Sequence, residues 1–277
     1  MFFEFLKAVL FGIVQGITEW LPISSTGHMI LLDELVQLDV SDAFYELFQV
    51  VIQLGSVLAV LVLYFHRLNP FSPQKSPQEK QRTWQMWFKV VVGVLPLVVP
   101  ALLLDDFIDE HFYNYTVVAI ALIVYGVLFI LVENRSRSRK PQVTQLEQLS
   151  YGRAALVGVV QMLAIIPGTS RSGSTILGAM LLGLDRSLAA EFSFFMAIPV
   201  MAGASGLKAV KYLLEGGLAF TSTEWMILIT GTVVAFLVSL VAIRFLVQFV
   251  KKHDFKAFGA YRIVLGLVVL AYFLLAR

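Results

Sequence analysis

Gln15-Gly16-Ile17-Thr18-Glu19-Trp20-Leu21-Pro22-Ile23-Ser24-Ser25-Thr26-Gly27-His28 sets an amide, an acid, a proline, hydroxyls and a histidine inside an otherwise apolar run from Phe2 to Leu32. A second stretch does the same with an arginine: Pro167-Gly168-Thr169-Ser170-Arg171-Ser172-Gly173-Ser174-Thr175, preceded by Gln161 within Leu156 to Leu184. Such groups are costly where lipid could surround them. They persist there when they face one another or a wet cavity. The two stretches therefore read as halves of one buried polar site.

Composition sets the class around them. Of 277 residues, 58% are hydrophobic and 14% charged, and the mean hydropathy is +0.80. Soluble domains carry about 25% charged residues, so the chain reads as an all-α polytopic membrane protein. It has no cysteine, which excludes a disulfide framework and thiolate metal sites. Met1-Phe2-Phe3-Glu4 lacks the basic start of a cleavable signal, so the first apolar segment is expected to remain.

Six stretches reach the ~20 apolar residues a membrane helix needs: roughly Glu46 to Phe65, Trp87 to Leu104, Tyr115 to Val132, Ala190 to Leu213, Trp225 to Val250 and Phe258 to Leu275. The two interrupted regions break into halves of only ~10–14 apolar residues, which predicts helix–loop–helix hairpins that enter and leave on one side. The chain also repeats itself. A shift that superposes Ser25 on Ser170 also superposes Pro22 on Pro167 and Glu46 on Glu191, and Gly12-Ile13-Val14-Gln15 matches Gly158-Val159-Val160-Gln161 with one residue of slippage. Gly93 pairs with Gly231, and Ile123-Val124-Tyr125-Gly126 with Ile263-Val264-Leu265-Gly266. The expectation is a single membrane domain, 1–277, built of two units, 1–134 and 150–277. Each unit holds one re-entrant hairpin and three spans. Three is odd, so the second unit enters upside-down, an inverted repeat with its site near the midplane.

Charge placement tests that plan. With both hairpins re-entrant, one face receives Arg67 to Lys89, the run Arg135-Ser136-Arg137-Ser138-Arg139-Lys140, Arg186, and Lys251 to Lys256. The other receives Asp33 to Asp42 and Asp105-Asp106-Phe107-Ile108-Asp109-Glu110, with Lys208 and Lys211 its one basic cluster. The positive-inside rule then puts both termini and the opening of the site outside the cytoplasm. The 135–140 run reads as an orientation signal and a contact for anionic lipid, not as a nucleic-acid patch.

Each broken segment resumes as a helix after a proline and small hydroxyl residues. Helix starts offer free N–H groups and a favourable dipole to anions. Ser24 and Thr26 on one side, and Gly168, Thr169, Ser170, Ser172 and Thr175 on the other, are the expected phosphate ligands. Arg171 adds a planar fork of donors suited to phosphate. Gln15 and Glu19, four apart on one helical face, form a candidate ledge for a divalent cation, Mg²⁺ or Ca²⁺, completed by water and substrate oxygens. Ser25 and His28, three apart, suit a hydroxyl nucleophile with an imidazole base or acid; the alternative is metal-bound water near Glu19 as the nucleophile, with Ser25 only hydrogen-bonding a phosphate oxygen. The structural alternatives are an acid that caps a helix, a histidine that only hydrogen-bonds, and serines that act as helix-packing glue. Arg171 resists such a reading, because a buried guanidinium requires an anion or water.

Gln15-Gly16-Ile17-Thr18-Glu19, Ser24-Ser25-Thr26-Gly27-His28 and Pro167 to Thr175 resemble the signature segments of the bacitracin-resistance type of undecaprenyl-diphosphate phosphatase, as does Phe48-Gln49-Val50-Val51-Ile52-Gln53-Leu54-Gly55. The resemblance runs the full length. It implies hydrolysis of undecaprenyl diphosphate to the monophosphate and inorganic phosphate in a bacterial inner membrane, dependence on a divalent cation, and recycling of the peptidoglycan lipid carrier. The family's first motif takes Glu or Gln at its first position; with Gln15 there, any charge must come from Glu19 alone. Expected partners are the lipid substrate and membrane lipids, with a homodimer left open. Inverted repeats with broken helices are also the usual plan of secondary transporters, so an organic-anion carrier or lipid flippase is the competing reading. Reporter fusions at Arg137 and after Arg277 should report opposite sides of the membrane; agreement between them would rule out the inverted-repeat plan.

Overall fold

The computed structural model of the chain describes residues 1–137, 139–214 and 220–275, without the side chains of Asp105, Asp106 and Asp109. Ser138 of the basic run, those three acidic side chains and Arg277 thus lie outside the described residues. The described residues are helical throughout apart from turns and one isolated bridge, Val143 to Leu184.

Six helices are long and apolar enough to cross a membrane, and each matches one expected span, the first ending at Leu63, two residues before the expected Phe65. They are α3 (Asp42–Leu63), α5 (Pro77–Phe112), α6 (Tyr115–Arg137), α9 (Arg186–Leu214), α10 (Ser222–Lys252) and α11 (Lys256–Leu275). A four-residue helix, α4 (Phe65–Leu68), follows α3. Several run past the apolar window because their starts are capped by polar residues. Ser76 and Glu79 form a capping box with Pro77 at the first helical position of α5, and Thr221 with Glu224 does the same for α10. Both satisfy amides that the helix itself leaves unpaired.

The two interrupted regions fold as α1 (Phe2–Thr18) with α2 (Ser25–Leu35), and α7 (Tyr151–Gln161), a 3-10 turn (Met162–Ile165) and α8 (Arg171–Leu181). At 17 residues, α1 exceeds the ~10–14 expected for half a hairpin; the helix continues through Gln15 and Thr18 because both polar side chains find partners, Glu19 Oε2 and the Val14 carbonyl. Each loop ends in a serine at positive φ, Ser24 at 71° and Ser170 at 73°, where side chains are rare. Each serine hydroxyl accepts the N–H three residues on, Gly27 and Gly173. These caps lie 146 positions apart, one more than the shift that pairs Ser25 with Ser170. In that register Gln15 and Gln161 align without slippage, and Ser25 stands opposite Arg171.

Close helix approach holds these elements together. A Cβ on Gly12 of α1 would lie 2.7 Å from the Gly231 carbonyl of α10, and Gly158 of α7 meets the Gly93 carbonyl of α5. Gly126 of α6 abuts the Gly259 carbonyl and Ile263 of α11, while Gly266 abuts Ile123. Helices in lipid gain little from hydrophobic burial against each other, so such small-residue contacts carry the packing. One buried ion pair adds to it. Glu133, 1% exposed, takes Arg186 Nε and Nη2 at 2.6–3.1 Å and accepts the Phe255 amide, which ties α6 to the starts of α9 and α11.

A side chain at Gly12 has no room, whereas nothing lies within 4 Å of a Cβ on Gly203. Gly12→Val is therefore expected to destabilise by about 1–3 kcal/mol or more and to lower the thermal midpoint in detergent. Gly203→Ala should leave that midpoint unchanged or raised.

Candidate active site

Glu19 caps the end of α1 and is 5% exposed. Its carboxylate is where the two loops meet. Arg171, the first residue of α8, donates from Nη2 to Oε1 at 3.0 Å across 152 residues of sequence. Ser25, the first residue of α2, donates from Oγ to Oε2 at 3.2 Å, and Gln15 Nε2 donates to the same oxygen at 2.9 Å. The two helix starts thus converge on this acid, one bringing a hydroxyl and the other a cation. Ser172 Oγ adds a bond to the Glu19 carbonyl at 3.1 Å.

Arg171 is held at several points. Nη1 donates to the Ser193 carbonyl at 2.9 Å, and the guanidinium carbon sits 5.8 Å from the Trp20 ring. Trp20 is fully buried and stands edge-on to Phe194, so the cation rests on a rigid aromatic floor. Ser193, on α9, also pairs with Thr175 Oγ1 at 2.6 Å.

His28 is not brought to Ser25. Its Nδ1 lies 2.7 Å from the Ser24 carbonyl, which can only accept, so Nδ1 carries the proton. Nε2 then accepts from the Tyr261 hydroxyl at 2.7 Å, and the two rings stack 5.6 Å apart. The back-bond to the helix cap and the stacking partner on α11 turn the imidazole away. The group within hydrogen-bond reach of Ser25 is Glu19.

The expected phosphate ligands divide into two sets. Thr26 lines a cavity of about 150 Å³ with Gln15, Ser25, Gln49, Gln53 and Tyr113. Ser24 and Ser170 cap their helices. Ser172 and Thr175 are buried and bonded within the protein, to Glu19 and to Ser193 and the Arg171 carbonyl. Gly168, at φ +87°, and Thr169 offer their carbonyls to another arginine.

That arginine is Arg262 on α11, fully buried. Nη2 reaches the Gly168 and Thr169 carbonyls at 2.8 and 3.1 Å, Nη1 the Pro22 carbonyl at 3.3 Å, and the guanidinium lies 5.7 Å from the Tyr125 ring. It stitches both loops together from behind the site. Its sequence signal was available, a lone arginine within the apolar run Phe258 to Leu275. Ser193 and Tyr261 carry no such signal, since their proximity depends on how helices pack, while Gln53 lies in the Phe48 to Gly55 stretch that carries the family resemblance.

The donors around the cavity are hard oxygens: the Gln15, Gln49 and Gln53 amides, the Ser25 and Thr26 hydroxyls and, beside them, the Glu19 carboxylate. Mg²⁺ and Ca²⁺ take that chemistry. Among the described residues no three His, Cys, Asp or Glu gather into a metal cluster, so a cation here would draw on the single carboxylate, neutral oxygens and the substrate.

Comparison with known proteins matches this arrangement to one family. The profile of the family described as bacitracin resistance protein BacA covers residues 8–268. An undecaprenyl-diphosphatase of Enterococcus faecalis is 55% identical over 274 residues, 99% of each chain. One of Acetivibrio thermocellus is 56% identical over 274 residues, again 99% of each. Undecaprenyl-diphosphatase 1 of Clostridioides difficile is 57% identical over 272 residues, 98% of this chain and 97% of its own. With the family profile spanning both loops and more than half of all positions shared end to end, the chain belongs to the bacitracin resistance protein BacA family.

Proposed function

We propose that this multi-pass membrane protein hydrolyses undecaprenyl diphosphate to undecaprenyl phosphate and inorganic phosphate, and so returns the lipid carrier to cell-wall synthesis. The observation that carries the reading is the Glu19 carboxylate bonded at once to Ser25 and Arg171, in a chain whose end-to-end relatives are named for that reaction. The substrate joins a long isoprenoid to an anionic head, so its tail must stay in lipid while its head reaches the loops.

Phosphoryl transfer needs chiefly in-line positioning and charge neutralisation. Ser25 Oγ attacks the terminal phosphorus and its proton passes to Glu19 Oε2. The bond to the bridging oxygen breaks, and undecaprenyl phosphate leaves with the proton that Glu19 passes to that oxygen. Water then attacks the phosphoserine and gives a proton to Glu19, which returns it to Ser25 Oγ as the bond from phosphorus to that oxygen breaks and inorganic phosphate leaves. The first-turn amides of α2 and the fork of Arg171 face the developing charge. Arg171 is engaged by Glu19 at rest; an arriving diphosphate competes for the guanidinium and leaves Glu19 a stronger proton acceptor. Gln15, Glu19 and Ser25 would hold a divalent cation, which supplies further charge neutralisation when bound. The competing transport reading needs no hydrolysis, and phosphate release by purified protein in detergent separates the two.

The same reading includes the inverted repeat and the bacterial inner membrane, with the site opening on the periplasmic side. Several contacts exchange between the two units and support the first of these. Gly12 meets Gly231 and Gly158 meets Gly93; Gly126 meets Ile263 and Gly266 meets Ile123. Glu46 pairs with Lys208, and Glu191 with Arg67.

Arg171→Lys is expected to be nearly as damaging as Arg171→Ala, because one ammonium cannot span Glu19, the Ser193 carbonyl and a phosphate. Turnover close to the unaltered protein in the lysine variant would reduce Arg171 to a diffuse charge.

Ser25→Ala and Glu19→Gln should each lower kcat by about three orders of magnitude or more, and the double variant little further, because a nucleophile and its base act as a unit. His28→Ala should cost less and combine multiplicatively with Ser25→Ala. Multiplying losses for Ser25 and Glu19, with a Ser25→Ala/His28→Ala double variant little worse than either single one, would restore the imidazole as base. Substantial turnover by Ser25→Ala would make water the nucleophile.

A further inference from the structure

Residues 135–137 and 139–142, at the linker between the halves of the chain, close a cavity of about 460 Å³ against α7 and the α8–α9 turn. The linker is strapped down there. The Gln142 and Val143 amides reach the Gly183 carbonyl at 2.8 and 3.1 Å, and the Asp185 amide reaches the Val143 carbonyl at 2.9 Å. Arg135, Arg137, Arg139, Lys140, Arg153 and Arg186 line the cavity against one carboxylate, Asp185. Arg186 is committed to Glu133. Among the described residues, Arg137, Arg139, Lys140 and Arg153 have no carboxylate within ion-pair reach, while Arg153 Nη2 donates to Gln142 Oε1 at 2.5 Å.

A general excess of cations on this side does not account for the imbalance. The neighbouring cavity of about 530 Å³ sets Arg67 and Arg82 against Glu147, Asp185 and Glu191. The walls of the linker cavity are also partly apolar: Leu156 and Leu181 line it and remain 50% and 56% exposed. Clustered cations beside exposed leucines match a group with an anionic head and apolar chains. Neither feature belongs to the Glu19 site, which lies at the opposite end of α8, an 11-residue helix about 16 Å long.

We propose that the cavity between the 135–142 linker and the α8–α9 turn binds the phosphate of an anionic membrane lipid. Arg137, Arg139, Lys140 and Arg153 hold the phosphate, and Leu156 and Leu181 meet the first part of the chains. Juxtamembrane cations bind anionic headgroups with about a five-fold gain each, so a site that uses several of them discriminates by headgroup charge.

The test is native mass spectrometry of the purified full chain in detergent with three probes: phosphatidylglycerol, phosphatidylcholine with the same chains, and inorganic phosphate. Phosphatidylglycerol should bind at least ten-fold more tightly than phosphatidylcholine, and inorganic phosphate should not displace it at equal concentration. Arg139→Gln/Arg153→Gln should weaken phosphatidylglycerol about 25-fold. Lys251→Gln/Lys252→Gln, which removes the same charge elsewhere, should change it less than two-fold. Turnover of undecaprenyl diphosphate should persist in both variants and so reports that they are folded. Equal binding of the two lipids, or equal loss in the two variants, would overturn the proposal. Displacement by inorganic phosphate would identify a free-anion site instead and overturn the lipid assignment. If the cavity variant does not fold, the three-probe comparison on the unaltered chain decides alone.

Discussion

The Glu19–Arg171 pair joins the end of α1 to the start of α8, and the rest of the site is arranged around the cost of keeping it where it is. Both side chains are largely buried, at 5% and 11% exposure. Desolvating such a pair consumes most of its Coulombic gain unless further hydrogen bonds complete each partner. Here they do so in part: Gln15 and Ser25 complete the carboxylate, and the Ser193 carbonyl and the Trp20 face engage the guanidinium, whose Nε has no partner among the described residues. Removing one partner would strand a buried charge, at about 3–5 kcal/mol. The same bonds that stabilise the fold thus place a hydroxyl on a carboxylate and a cation beside both, and in the proposed reaction binding and chemistry would share one network.

Arg262 poses the same cost without the same remedy. It is buried among carbonyls of both loops and the Tyr125 ring, and its bonds reach no carboxylate among the described residues. Three backbone oxygens offset part of its desolvation. The positive-φ turns at Ser24 and Ser170 cost of order 1–3 kcal/mol each and persist only where surroundings over-determine them. Arg262 holds Pro22, Gly168 and Thr169, immediately before those turns, and the Ser24 and Ser170 carbonyls are held by His28 and Ser174 immediately after. Strain at the helix starts is thereby fixed from both sides.

Much of this was legible in the sequence, and what was not follows a physical pattern. Apolar runs of roughly 20 residues marked all six candidate spans, because lipid leaves a chain few alternatives to a continuous helix. Proline and hydroxyl clusters marked both loops, and Gln15, Glu19, Ser25 and Arg171 meet as their residue types suggested. Spacing misled at His28. Three residues apart on a helix gives proximity, but a back-bond to Ser24 and a stacking partner 233 positions away decide where the ring points. Ser193 could not have been read at all, since one serine on a helix looks like any other until a neighbouring helix is placed against it. Arg262 was legible and passed over: a charge inside an apolar span warrants the same question as Arg171.

The two loops show how one backbone device can carry different chemistry. Each turns through a serine at φ near +72°, each uses that hydroxyl to accept an N–H three residues on, and each starts an 11-residue helix. Because the caps, and not the prolines, define equivalent positions, the first helical residue is Ser25 in one and Arg171 in the other. Each therefore projects its side chain from the same point of a helix start, and both reach the one carboxylate, Glu19. In the proposed reaction the serine there would supply the attacking oxygen, and the arginine supplies charge. An anion bound between the two starts would meet first-turn amides from both helices and, at corresponding places, a nucleophile on one side and a guanidinium on the other. Two like residues would give two donors or two cations around the phosphate; under the proposed reaction, the difference between Ser25 and Arg171 would suit the pair to transfer as well as to binding.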